Sequence, residues 1–399
     1  MTARGNAVRE LAYDDVRGKV LAQPLSLLAE HLFGDLSIVD WAYQREPHSI
    51  VWAVRSDGLL LSLTYMRALD AWGWAWHDLA DGGAAESICA IPEGKEDAVY
   101  LVVRRTVGGQ TKRYIERLTS RRVEDARLGV FLDSSLSYDG RNAGATTVTV
   151  TEIAGGGFDV GVLVTVTASA AAFGAGDVGN EVVLNPDALS TLAADGKTVL
   201  DAGTVCRLVI AGYTSATEVT AEVLTPAVPV VYQATATTRW ARAVDELSGL
   251  DHLEGKTVVA LADGNVVREN AGVALVVTAG AVTLPEPASV IHVGLSYVSE
   301  LELLDVAGPA DVRGKEKTVK KVVVELEKSR GLRVGKDFDS LTLWNQRTVQ
   351  DGYGRIPLFT GRAELLVAGD WSKHGRAAVQ QADPLPMTVV AVTREVEVG

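Results

Sequence analysis

From residue 49 to residue 118 one local pattern repeats: a short run of β-branched and aromatic residues, a glycine turn, and another such run. Residues 49–56 and 59–65 flank Asp57-Gly58, and Asp-Gly supplies the positive φ of a tight hairpin turn. Residues 71–77 follow as a third strand. Its alternation sets Trp72, Trp74 and Trp76 on one face and Ala71, Gly73, Ala75 and His77 on the other. Fourth and fifth strands are expected over 86–91 and 98–106, the latter turning at Gly108-Gly109 into 110–118. Sequential antiparallel strands at this spacing predict sandwich or propeller blades. The one helical segment of this half is 26–33, where Leu25, Leu28, Leu32 and Phe33 recur at roughly helical spacing and Gly34 ends the run.

Composition shifts after Asp139-Gly140. As far as Pro229 the chain is rich in Thr, Val, Ala and Gly with few charges, and strands are expected over 146–153, 161–168, 178–184, 205–212 and 218–224. A third block begins near Arg239-Trp240. Within it, 319–327 alternates, with Val319, Val323, Glu325 and Glu327 on one side and Lys320, Val322, Val324 and Leu326 on the other. Asp351-Gly352, Gly361, Gly369-Asp370 and Gly375 punctuate its last third at hairpin intervals. The expected fold is mostly β. It comprises a propeller-like antiparallel region over 1–140, an inserted small β-sandwich or barrel over 141–235, and a C-terminal β domain over 236–399.

With 22% charged and 47% hydrophobic residues, the 399-residue chain is long enough for two or three cores, and wholesale disorder is excluded. Its 38 Lys and Arg against 51 Asp and Glu give a net charge of -13, which argues against a surface that grips nucleic acid or an anionic membrane throughout. Cys89 and Cys206 are the only cysteines, so neither a disulfide scaffold nor a cysteine zinc site can be built in one chain, and synthesis in a reducing compartment is expected. Charges interrupt the first ten residues, so no secretory signal is expected there. The longest uncharged stretch, 160–176, falls short of the roughly 20 apolar residues of a membrane span, so no membrane anchor is expected either.

Catalytic patterns are scarce. There is no G-x-S-x-G elbow, no phosphate-binding G-x-x-x-x-G-K-[ST] loop, no H-E-x-x-H and no complete EF-hand loop. The six histidines are scattered, none three or four residues from another. The acidic pairs Asp14-Asp15, Glu96-Asp97 and Glu124-Asp125 read as solvated turns rather than as two carboxylates facing across a cleft. No enzyme, cofactor or metal is therefore expected. Two candidate surfaces stand out. Trp72, Trp74 and Trp76 form either a stacking platform or a layer packed between sheets or subunits. Arg104, Arg105, Lys112 and Arg113, with Arg117 and Arg121-Arg122 nearby, form either a contact for phosphates or an acidic neighbour, or a solvated hairpin face.

Several stretches, taken in order, resemble the nozzle, or tail tubular B-type, proteins of short-tailed bacteriophages. They are AEHLF (29–33), DWAYQREP (40–47), IVWAVRSDG (50–58), LTY (63–65), RYIERL (113–118), FLD (131–133), GLDHLEG (249–255), VGL (293–295), FTG (359–361) and QADPLP (381–386). The likeness covers most of 1–140 and 240–399 and corresponds to the C-terminal half of that family's longer chain. The inserted segment resembles a small β-module common in phage virion proteins, through FGAGDVG (173–179) and RLVIAGYTSATEVTAEVL (207–224). The resemblance implies a structural protein of the virion, made in the bacterial cytoplasm. In that role it forms a homo-oligomeric ring below the portal and adaptor, holds fibres or other tail parts outside, and passes DNA through its lumen without sequence-specific binding. It further implies that Trp41, Trp52 and Trp76 anchor packing and that the insert points outward. A carbohydrate-binding adhesin or tail fibre module is the alternative, with the tryptophan face as its binding element.

Overall fold

A computed structural model describes residues 7–14, 18–69, 71–187, 190–192, 199–201, 205–306, 314–347 and 356–399. The chain is mostly β, as its alternation predicts, with 55% of residues in strands and 7% in helical turns, and the described strands close no barrel. It divides into two compact units, Met1–Ser120 and Arg121–Gly399.

In the first unit, β1 (Arg9–Asp14) and β2 (Lys19–Pro24) form a hairpin. The strands β3 (Ile38–Gln44), β4 (Ile50–Arg55), β5 (Leu60–Met66) and β6 (Ala71–His77) then follow one another as a four-stranded antiparallel meander. A second meander contains β7 (Ala84–Glu93), β8 (Glu96–Val107) and β9 (Gln110–Arg117). The two share one core: Ile50, Trp52, Val54 and Leu60 from the first pack with Ala85, Ile88, Val99, Leu101 and Val103 from the second. Each of the valine, leucine and isoleucine side chains contributes about 1.5–3 kcal/mol by leaving water. Gly58 serves the turn twice over. Its φ of +94° belongs to the left-handed region, and a Cβ there would meet the Ala84 Cβ at 2.5 Å.

The helix expected over 26–33 forms instead as the 3-10 segment Leu27–Leu32, broken at Ala29, where φ is -124°. Six residues are too few to repay the cost of nucleating an α-helix, and the segment is held by what it buries. Ala29, Leu32 and Phe33 pack on Ile38, Ala53 and Leu61 of the first meander.

Asp40 ties the two meanders together. Its carboxylate accepts from the Ser87 hydroxyl at 2.7 Å and the Ile88 amide at 2.9 Å, both on β7. Burial works against its charge, yet the Ile88 amide, the Ser87 hydroxyl and the Trp41 amide together hold the carboxyl below its ordinary value.

The second unit contains a seven-stranded antiparallel sheet. Five strands of the insert belong to it, Val148–Glu152, Leu163–Ala168, Glu181–Leu184, Cys206–Ser215 and Glu218–Thr225, close to the five expected. The sheet continues past the insert through Trp240–Ser248, which pairs with Glu181–Leu184, and on to Ala281–Ala288. Val150, Val166, Leu184, Leu208, Ile210, Val219 and Val223 all point into one core. Phe173 and Val228, which lie outside the strands, join the same core. Residues 133–139, which the sequence groups with the first block, pair with Val290–Leu295 and belong to this second unit.

In the last block Lys317–Ser329 lies between Phe359–Leu366 and Thr388–Val398. A register shift between Val319 and Lys321 alters the alternation read from the sequence. Val319 faces the core together with Val322, Val324 and Leu326 instead of lying opposite them. The turn expected at Asp351-Gly352 lies outside the described residues.

Arg127 joins the start of this unit to the insert. Its buried guanidinium donates from Nε to Asp125 at 2.8 Å and from Nη1 to the Pro186 carbonyl at 2.8 Å. His292 Nε2 donates to the Arg127 carbonyl at 2.7 Å.

Two outcomes are expected. Asp40→Asn lowers stability by about 1–2 kcal/mol at neutral pH, as urea midpoints report. The depressed carboxylate gives stability that is present above its unfolded value of 3.8 and lost as pH falls through its lower folded value, so the gap to the native chain closes in acid. Arg127→Ala removes the buried ion pair with Asp125 and the bond to the Pro186 carbonyl and lowers stability by about 3–5 kcal/mol in the same measurement.

Candidate functional site

The three tryptophans of β6 share a face, as their alternation predicts, and register decides what each one does. Trp74 lies opposite Leu63, Trp72 opposite Tyr65 and Trp76 opposite Leu61. Trp74 is packed: its indole meets Phe33 edge-on with centroids 5.1 Å apart, and its Nε1 donates to the Leu25 carbonyl at 2.9 Å. Trp72 is half-buried, whereas Trp76 is exposed. The tryptophan of β4 differs again, since Trp52 is buried between the meanders and donates from Nε1 to Gln44 Oε1 at 3.0 Å.

Cross-strand pairing extends this face further than β6. Trp41 pairs with Ala53, Ala53 with Leu61 and Leu61 with Trp76, so one row of side chains crosses all four strands on one side of the sheet. The next row is Tyr43, Val51, Leu63 and Trp74. Trp41 and Tyr43 are exposed like Trp76. Reading 71–77 alone misses them. The signal that finds them is the alternation of 38–44, in which Trp41 and Tyr43 share one face and Asp40, Ala42 and Gln44 the other.

The basic residues divide by the same rule. Arg105 shares the inward parity of Val99, Leu101 and Val103 and is buried. It donates from Nη2 to Glu116 at 2.8 Å and from Nη1 to the Ala80 carbonyl at 2.8 Å. Arg104 and Arg113 are cross-strand partners on the outer face, and both reach Glu86, at 3.3 and 2.6 Å. Hydrogen bonding from Arg113 holds the Glu86 carboxyl below its ordinary range. Arg117 reaches Glu93 at 3.0 Å, and that carboxylate also accepts from the Tyr100 hydroxyl at 2.6 Å. Lys112 is exposed on β9 opposite Arg105. The arginines are thus interleaved with carboxylates, and a phosphate approaching them would have to displace Glu86 or Glu93.

Groups with chemical potential elsewhere are engaged in the fold. Cys206 is buried and its thiol is pushed up to about 11 by desolvation, which suppresses thiolate chemistry at neutral pH. Two open hollows of about 500 and 280 Å³ in the second unit are lined in part by Arg141 and Arg242. Arg141 pairs with Asp139 at 2.7 Å and Arg242 with Asp177 at 3.1 Å. Among the described residues no three His, Cys, Asp or Glu side chains are grouped to hold a metal, and no helix is long and apolar enough to cross a membrane. No protein-family model matches this sequence, and a search of curated proteins finds no match.

The division of the basic cluster has a measurable consequence. Arg105→Ala strips the Glu116 carboxylate of its buried partner and is expected to cost about 3–5 kcal/mol in urea unfolding. Lys112→Ala is expected to stay within about 0.5 kcal/mol of the native chain.

Proposed function

We propose that this chain is a structural subunit of a bacteriophage tail, a nozzle-like component that closes into a ring beneath the portal and adaptor and lets DNA pass through its lumen. The observation that carries the reading is the convergence in space of stretches that resemble the nozzle family but are far apart in sequence. Asp133 of FLD pairs with Leu295 of VGL. His252 of GLDHLEG donates from Nε2 to the carbonyl of Ser134 at 2.9 Å, and a Cβ on Gly294 would meet the Asp133 carbonyl oxygen at 2.7 Å. Gln381 of QADPLP donates to the Arg330 and Leu385 carbonyls, and Asp383 accepts from Arg268 at 2.9 Å. These residues bond backbone and neighbouring strands, which is the work of a scaffold.

Charge agrees with a conduit. A net charge of -13 opposes the counterion release that makes proteins cling to DNA, so a strand can move past such a protein without being held. The exposed aromatic face of the first unit supplies apolar surface of the kind that subunit contacts bury. The protein is then made in the bacterial cytoplasm and resides in the virion, with fibre proteins as outer neighbours.

Electron microscopy of the purified full chain tests the reading. Rings of one diameter with a central channel wide enough for duplex DNA are expected. Particles without a channel at every protein concentration would overturn it.

A further inference from the structure

Both faces of the four-stranded sheet β3–β6 are apolar, and only one is fully covered. On the outer face the middle of the row Trp41, Ala53, Leu61, Trp76 is sealed, because Ala29, Leu32 and Phe33 lie on Ala53 and Leu61. The ends of the row are not. Trp41 is 57% exposed and Trp76 55%, while Tyr43 in the next row is 53% exposed. The 3-10 segment that seals the middle turns two leucines outward, Leu27 at 59% and Leu28 at 86%. The result is an apolar surface formed by two tryptophans, a tyrosine and two leucines.

Its size is informative. At about 150–250 Å² for each aromatic side chain, the exposed fractions of these five residues sum to roughly 600 Å². One side of a standard protein interface buries about 800 Å², a little over half of it apolar, so this face alone provides the apolar area that a stable contact requires. Tryptophan and tyrosine are also the residue types that dominate binding energy at such contacts. A glycan fits less well, since a sugar site needs polar groups converging between its stacking rings, and here leucines rise from the segment lying between the outer tryptophans.

We propose that the face formed by Trp41, Tyr43, Trp76, Leu27 and Leu28 is the docking surface for a second copy of this chain. The inference rests on the ring reading, because a closed ring joins two different patches of each copy head to tail, and this face supplies one of the two. A neighbouring copy seats a different patch of its surface against it and excludes water from both outer tryptophans.

Light scattering of the full chain over a concentration series tests this, with far-UV circular dichroism to check folding. The variants are the double substitution Trp41→Ser with Trp76→Ser, the single substitution Leu28→Glu, and Trp371→Ser as a control at an exposed tryptophan of the second unit. Leu28→Glu adds a charge at the most exposed position of the face and leaves the packed side chains untouched. The native chain and the control are expected to form one discrete oligomer. The other two variants, folded, are expected to dissociate with a dissociation constant raised about thirtyfold or more. Folded variants that keep the native mass overturn the assignment of this face and leave the ring reading standing. A native chain that stays monomeric at every concentration also overturns it. A native dimer, without a channel, that falls apart in the variants upholds the face and removes the ring.

Discussion

Register in the β3–β6 sheet is the constraint on which the first unit depends. Side chains alternate strictly along a strand, so a slip of one residue would exchange its two faces. Trp52, Val54 and Leu60 would leave the core, and Ala53 and Leu61 would enter it. The Asp57-Gly58 turn prevents this. Gly58 takes up the left-handed conformation that the turn requires, and the close approach of Ala84 leaves no room for a side chain there. A backbone bond from the Ala85 amide to the Gly58 carbonyl, at 2.9 Å, then ties the turn to the second meander. The hairpin and the packing of the two meanders are thus specified at one point in the chain.

Much of this was legible in the sequence, and the limits have physical causes. Alternation and glycine turns are local, so β4–β9 of the first unit and the five strands of the insert are read directly, whereas β1, β2 and β3 are not. The 3-10 segment was misread as a helix because Leu25, Leu28, Leu32 and Phe33 satisfy helical spacing whether or not hydrogen bonds follow it. Val319 was placed on the wrong side because a bulge, which inverts parity, is set by the partner strand Thr388–Val398. Trp41 and Tyr43 join Trp76 only through pairing across four strands, and no local pattern encodes that adjacency.

Arg105 is the instructive case among the charged positions. Next to Arg104 in a basic dipeptide, it reads as part of one surface, either a contact for phosphates or an acidic neighbour or a solvated hairpin face. Parity separates the two: Arg104 faces outward and Arg105 follows Val103 into the interior, where Glu116 neutralises it. A run of like charges on a strand is therefore two populations, one for each face, and only the outer one is open to a partner. On this face the outer arginines are themselves matched by Glu86 and Glu93, in exposed ion pairs that solvent screens.

The first unit accordingly shows two unlike outer faces. The outer side of β7–β9 carries arginine and glutamate in close alternation, hydrated and nearly balanced in charge. The outer side of β3–β6 carries indole, phenol and leucine. Burying the ionic face would cost the hydration of every pair for little Coulombic return, whereas burying the aromatic face releases water from apolar surface. Of the two faces, the aromatic one is therefore the one whose burial is favourable. The alternation of side chains along a strand is enough to generate that asymmetry, because it sends successive residues to opposite faces.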